Sequence, residues 1–182
     1  MNWLNTLFIL AAAFLAVFWE AAFQGVRNVV GAQVDLLPAI IVYAALCSSL
    51  PTVCLVAFFG GLCFDSLSAN PLGTSVLPLF ALGFVIHLWR DLILRDQVFA
   101  QVVLGLAAGI ACPMLTLLLL LTIGRPPQLG WGTLWQLIVM SLGSGLVTPV
   151  FFLLFEWVHK TFVHAPAVES SFRPDREIRR GR

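Results

Sequence analysis

Apolar residues in this chain run in long blocks separated by short polar breaks, without the alternation of a half-buried strand. The first block, about 3–23, covers roughly 31 Å as a helix, enough to cross the ~30 Å hydrocarbon core of a bilayer. Residues 24–35, Gln-Gly-Val-Arg-Asn-Val-Val-Gly-Ala-Gln-Val-Asp, form a polar connection. The next block, Leu36 to Phe64, would be roughly 43 Å long as one helix and overshoots the bilayer. Ser48-Ser49-Leu50-Pro51 sits in its middle, and a residue before proline is pushed out of helical geometry. The pattern therefore predicts two short helices, 36–49 and 52–65, which either cross a thinned region or dip in as a hairpin. Three further helices are predicted over 72–89, 98–123 and 134–158, the last opening near Trp131 or Trp135. All six tryptophans, at 3, 19, 89, 131, 135 and 157, fall at predicted helix ends, as an interfacial aromatic belt requires.

The reading is an all-α, polytopic integral membrane protein of about six transmembrane helices. One helical domain covers 1–160, and the polar segment 161–182 follows as a disordered cytoplasmic tail. Composition agrees: 60% of residues are hydrophobic and 10% charged, against roughly a quarter charged in a soluble domain. Met1-Asn2-Trp3 lacks a basic n-region and the first apolar run is too long for a signal-peptide core, so that segment is expected to stay as a membrane helix.

Basic residues set the expected orientation. With six crossings and a cytoplasmic N-terminus, Arg90, Arg95, Lys160 and the tail residues Arg173, Arg176, Arg179, Arg180 and Arg182 lie inside, against Arg27 and Arg125 outside. Reading 36–64 as one crossing places the N-terminus outside and satisfies the rule equally well; Pro51 and the length of the block favour six. Both versions put the C-terminus and the 90–96 connection in the cytoplasm and the turn from Asp65 to Pro71 outside.

The stretch Phe59-Gly60-Gly61-Leu62-Cys63-Phe64-Asp65, continuing to Asn70-Pro71-Leu72-Gly73, places one carboxylate at the edge of hydrocarbon, where it is costly to hold. Gly60 and Gly61 permit close backbone approach. Asp65 is expected to accept hydrogen bonds from turn amides at Ser66 to Asn70, either ordering the turn or meeting a partner. Ala12/Ala16 and the pair Gly105/Gly109 are small-residue faces for helix docking, within the fold or between proteins. Ser141, Gly143, Ser144 and Gly145 give the last helix a small-residue flank.

Other chemistry is sparse. Cys47, Cys54, Cys63 and Cys112 lie in apolar runs without metal or disulfide spacing, and His87, His159 and His164 make no ligand set. Asp91 and Arg95 are spaced to pair on a helical turn. No nucleophile and base stand together and no phosphate-binding loop is present, so neither enzyme activity nor a cofactor is expected. Glu20, Arg27, Asp35, Asp65 and Arg125, all on the outward side, can line a small site but fix no reaction. Glu20, Asp65 and Glu156 map near span ends, not at the midplane, and no inverted repeat is visible, which argues against an ion-coupled transporter.

Asp35-Leu36-Leu37-Pro38, then Gly60-Gly61-Leu62 with Asp65, then Asn70-Pro71-Leu72-Gly73, and a helix closing on Trp89-Arg90-Asp91 together resemble the rod shape-determining MreD family over about residues 30–96. The resemblance implies a scaffold in the bacterial inner membrane that belongs to the cell-elongation machinery. Such a scaffold binds an MreC-like single-span protein and through it an MreB-like filament and peptidoglycan synthases. It also implies a fold similar to the substrate-binding component of energy-coupling-factor transporters, with six helices around an outward-facing pocket. A vitamin-type binding component is accordingly the alternative function.

Overall fold

The computed structural model describes residues 3–22, 31–68, 71–93, 97–124 and 130–163. Their regular structure is helical: α1 (Trp3–Ala22), α2 (Leu37–Cys47), α3 (Leu50–Leu67), α4 (Val76–Trp89), α5 (Val98–Thr122) and α6 (Trp131–Val163). Four helices are long and apolar enough to cross a membrane: α1, α3, α5 and, over Trp131–Val158, α6. The chain is an all-α, multi-pass membrane protein. Its outer surface is apolar, with Leu7, Phe14, Ile110, Leu146 and Leu153 among the exposed side chains, and all six tryptophans are exposed near helix ends.

The short helix α2 occupies the centre. Every residue from Leu37 to Leu46 is buried, and α2 packs against each of the other five helices. With lipid as apolar as leucine, this burial gains little from the hydrophobic effect and depends on close packing. Small residues supply the approach. A Cβ on Gly60 would meet Leu37 Cδ2 at 3.0 Å, and one on Gly83 would meet Val53 Cγ1 at 2.6 Å and Ile41 Cγ2 at 3.0 Å. The Tyr43 ring stacks on Phe155 at 4.3 Å and meets Phe152 edge-on at 5.0 Å, tying α2 to α6.

Successive helices run in opposite directions. At one end, the Thr6 and Thr52 hydroxyls lie 3.0 Å apart, Asn5 Nδ2 donates to Ser48 Oγ at 3.4 Å, and His87 Nδ1 lies 3.0 Å from the Ala45 carbonyl. These contacts gather the start of α1, the α2–α3 junction and the end of α4. At the other end, Glu20, Asp35, Leu67 and Ser75 border one cavity. Segments α2 and α3 therefore run between the same two ends of the bundle as α1.

Several boundaries differ from those predicted. The break in the second apolar block falls at Ser48 (φ −124°, ψ 177°) and Ser49 (φ −81°, ψ 155°). Leu50 already heads α3, because Pro51 sits in the first turn, where a missing N–H is harmless. Pro38 opens α2 in the same way. The α4 helix starts at Val76, not residue 72, since Gly73 takes φ +92° and the amides around it turn away toward Asp65. The last helix extends to Val163, past the predicted end at 158; the tail from 164 onward and Asn70 lie outside the described residues.

The small-residue pairs serve the interior. Gly105 and Gly109 face α6: a Cβ at Gly105 would collide with Thr148 Oγ1, and one at Gly109 would stand 2.8 Å from Ser141 Cα and 2.9 Å from Met140 O. Gly145 faces Leu106 from the other side, and Ser141 Oγ donates to the Leu106 carbonyl at 3.2 Å. Ala16 is buried and Ala12 packs against the core. Neither pair is an open docking face, because the fold's own helices occupy both.

Gly109→Ala should therefore destabilise the protein by about 1–3 kcal/mol through overpacking. Gly132→Ala, where an added Cβ meets nothing within 4 Å, should stay within about 0.5 kcal/mol of the parent. Thermal denaturation of the two purified variants in one detergent checks the contrast.

Candidate functional site

Asp65 lies in the last turn of α3 and is 2% exposed. Its Oδ2 accepts hydrogen bonds from the Gly73 N–H at 2.7 Å and the Ser75 N–H at 3.1 Å, and Thr74 Oγ1, 2.8 Å from the Pro71 carbonyl, stands 3.4 Å from Oδ1. Among the described residues these partners lie beyond the turn amides that the sequence led us to expect, at Ser66 to Asn70; Ala69 and Asn70 themselves lie outside the described residues. Ser66 lies in the same helix as Asp65, and Ser66 Oγ and Ser68 N donate to the α3 carbonyls of Cys63 and Phe64. The carboxylate instead crosses to the residues that lead into α4, where unpaired amides of a helix start favour negative charge. Gly61 completes this clasp: a Cβ there would stand 2.9 Å from the Val76 Cα, so only glycine lets α3 meet the first turn of α4. Gly61, Asp65 and Gly73 thus form one structural unit, to which Thr74 ties Pro71 by donating to its carbonyl at 2.8 Å, and the contacts of the carboxylate among the described residues are internal.

Next to the clasp opens a cavity of about 460 Å³. The wall takes Val17 and Glu20 from α1, Gln33 and Asp35 from the connection before α2, Phe64 and Leu67 from α3, Cys112 and Thr116 from α5, and Thr133, Gln136 and Met140 from α6. Gln33 and Gln136 lock two distant segments together. The Gln33 N–H donates to Gln136 Oε1 at 3.3 Å, and Gln136 Nε2 donates to the Gln33 carbonyl at 3.1 Å. The side chain of Gln33 reaches the other way, its Nε2 donating to Glu20 Oε1 at 2.8 Å. Glu20 Oε2 is buried with no partner among the described residues.

Asp35 is buried, and its Oδ1 accepts the Leu37 N–H at 2.9 Å, holding the entry to α2. Burial pushes this carboxyl up to about 6, and the Leu37 hydrogen bond opposes the rise. Among the described residues no Lys, Arg or His borders the cavity.

The remaining candidates sit elsewhere. Gly60 faces Leu37 and Ala13 inside the bundle. Arg90 and Asp91 lie at the opposite end, with Arg90 Nε 3.7 Å from Asp91 Oδ1 and an Arg90 guanidinium N–H donating to the Ser48 carbonyl at 3.4 Å. Asp91 therefore meets its neighbour; Arg95 lies outside the described residues. No group of three His, Cys, Asp or Glu side chains able to hold a metal occurs among the described residues.

Sequence reasoning placed Glu20 and Asp35 on one side without joining them, and it passed over Gln33 and Gln136. Gln33 stands two residues before Asp35, and a glutamine in each flank of long apolar segments was the available signal. No protein-family model, curated protein or solved structure matches this chain.

Two predictions follow from these carboxylates. Asp65→Ala leaves the Gly73 and Ser75 amides without their acceptor and should cost about 2–4 kcal/mol, whereas Asp65→Asn, which can place its carbonyl oxygen at the Oδ2 position, should cost less; thermal unfolding in detergent reads both. The folded state holds the Asp35 proton at about 6 against an ordinary 3.8. Its contribution to stability is therefore fully present below about pH 4 and is lost as pH rises through about 6. The melting temperature of the parent should fall relative to that of Asp35→Asn over that interval, and parallel curves would refute the assignment.

Proposed function

We propose that this chain is a scaffold of the bacterial cell-elongation machinery in the inner membrane, acting by binding and not by catalysis. Its partner is an MreC-like single-span protein, through which it supports an MreB-like filament, peptidoglycan synthases and rod shape. The observation that carries this reading is the convergence of the family-like motifs. Gly61 and Asp65, one turn apart on α3, meet Val76 and Gly73 at the start of α4, so the two family-like motifs form one clasp between α3 and α4. In this reading both termini are cytoplasmic, which follows from the basic residues at the Arg90 end and in the tail, and the cavity end faces outward.

Because Ala16 and Gly109 are already engaged inside the fold, the partner surface lies on the lipid-facing sides, where Leu7, Phe14 and Phe18 of α1 and Val103, Ile110 and Met114 of α5 are exposed. A second reading, the binding component of a vitamin-type transporter, is favoured by one feature, the cavity of about 460 Å³.

Affinity purification from native membranes in mild detergent, with mass spectrometry of the co-purifying proteins, separates the two. Recovery of a single-span coiled-coil protein with wall synthases, and photo-crosslinks to it from one of those two faces, is the expected result. Recovery of an ATPase and a coupling subunit would replace the scaffold reading with the transporter one.

A further inference from the structure

We infer that the cavity bordered by Glu20 and Asp35 is a binding site for a small organic cation, an ammonium group carried on an apolar body. The inference is independent of the scaffold reading, since it concerns what fills the interior and not what covers the outside. Its volume, about 460 Å³, lies within the ~300–1,000 Å³ typical of organic-ligand pockets.

The chemistry of the occupant follows from what the wall has left to offer. Gln33 Nε2 already donates to Glu20 Oε1, and the Gln136 amide is paired with the backbone of Gln33. Beside these engaged amides stand two carboxyl groups. Glu20 Oε2 is buried and has no partner among the described residues, and Asp35 accepts a hydrogen bond from the Leu37 amide. What Glu20 Oε2 lacks is a donor, and the described lining sets two acidic groups against no basic one.

An anionic ligand would meet two carboxyl groups with no cation among the described lining residues to offset them. A neutral O–H or N–H could pair Glu20 Oε2 but would bring no charge to the two acidic groups. A protonated amine supplies both the N–H groups and the charge. A bare metal ion fits poorly, because no three ligating side chains gather there among the described residues. The rest of the lining, including Val17, Leu79, Leu117, Leu137 and Met140, is suited to a hydrocarbon or aromatic body.

The test uses the full chain in detergent with 2-phenylethylammonium as probe and neutral 2-phenylethanol as its matched control, measured by titration calorimetry. Saturable binding of the ammonium, with the alcohol at least about tenfold weaker, is expected. Glu20→Gln and Asp35→Asn should each weaken ammonium binding by about tenfold or more while the protein still unfolds cooperatively. Leu137→Trp keeps both carboxylates but fills the cavity, and should abolish binding; it keeps the proposal open to refutation if a carboxylate variant fails to fold. Equal affinity for amine and alcohol, or unchanged affinity in all three variants, overturns the proposal. Arg27 and Arg125 lie outside the described residues, so the variant carrying both Arg27→Gln and Arg125→Gln is included. If it binds the ammonium and the parent does not, the chain supplies its own cation and the site is not a ligand site.

Discussion

The fold depends on burying a helix that has no polar face. Every residue of α2 from Leu37 to Leu46 is inside, so the five other helices must surround it, and its eleven residues must share a bundle with neighbours of fourteen to thirty-three. In a bilayer this arrangement gains little from removing apolar surface from water. It is held by how closely the neighbours come, and closeness is set by residues without side chains, Gly60 and Gly83 against α2 and Gly105 and Gly109 between α5 and α6. Removing that permission at Gly109, or at Gly61 between α3 and α4, forces backbones apart, because the atoms an added Cβ would meet there include main-chain atoms that cannot rotate away.

A short central helix leaves its ends uncovered, and the polar residues of the chain are placed there. At one end hydroxyls of Thr6, Ser49 and Thr52 satisfy one another. At the other, Asp65 closes the α3–α4 junction, while Gln33 and Gln136 bind the approach to α2 onto α6. The non-helical approach to α2, from Gln33 to Leu36, occupies height that a full-length helix would fill. The cavity is a consequence: between that segment, α1, α5 and α6, side chains do not meet. What distinguishes it from a packing defect is that its wall carries two carboxylates in place of leucines.

Asp65 and the cavity illustrate two uses of a carboxylate at the edge of hydrocarbon. Asp65 is 2% exposed and accepts from two amides at the start of the next helix, so its role is structural. Glu20 has one oxygen on Gln33 and the other without a partner among the described residues. This difference in hydrogen bonding separates the clasp from the cavity wall.

Much of this was legible in the chain itself. Block lengths and tryptophan positions give the helices, because a bilayer imposes a fixed length and an interfacial belt whatever the tertiary arrangement, and the serine pair before Pro51 marks the division of the second block. The spacing of Gly105 and Gly109 announces a close helix contact but not its partner, which is α6. Which end of which helix meets another, and so that Asp65 reaches past its own turn to Gly73 and Ser75, follows from packing around α2. The joining of Glu20 and Asp35 with Gln33 and Gln136, more than a hundred residues apart in the chain at the widest, is likewise a product of tertiary structure. Periodicity and hydropathy are local quantities, and they carry no information about which polar residues long-range packing will leave facing the same empty space.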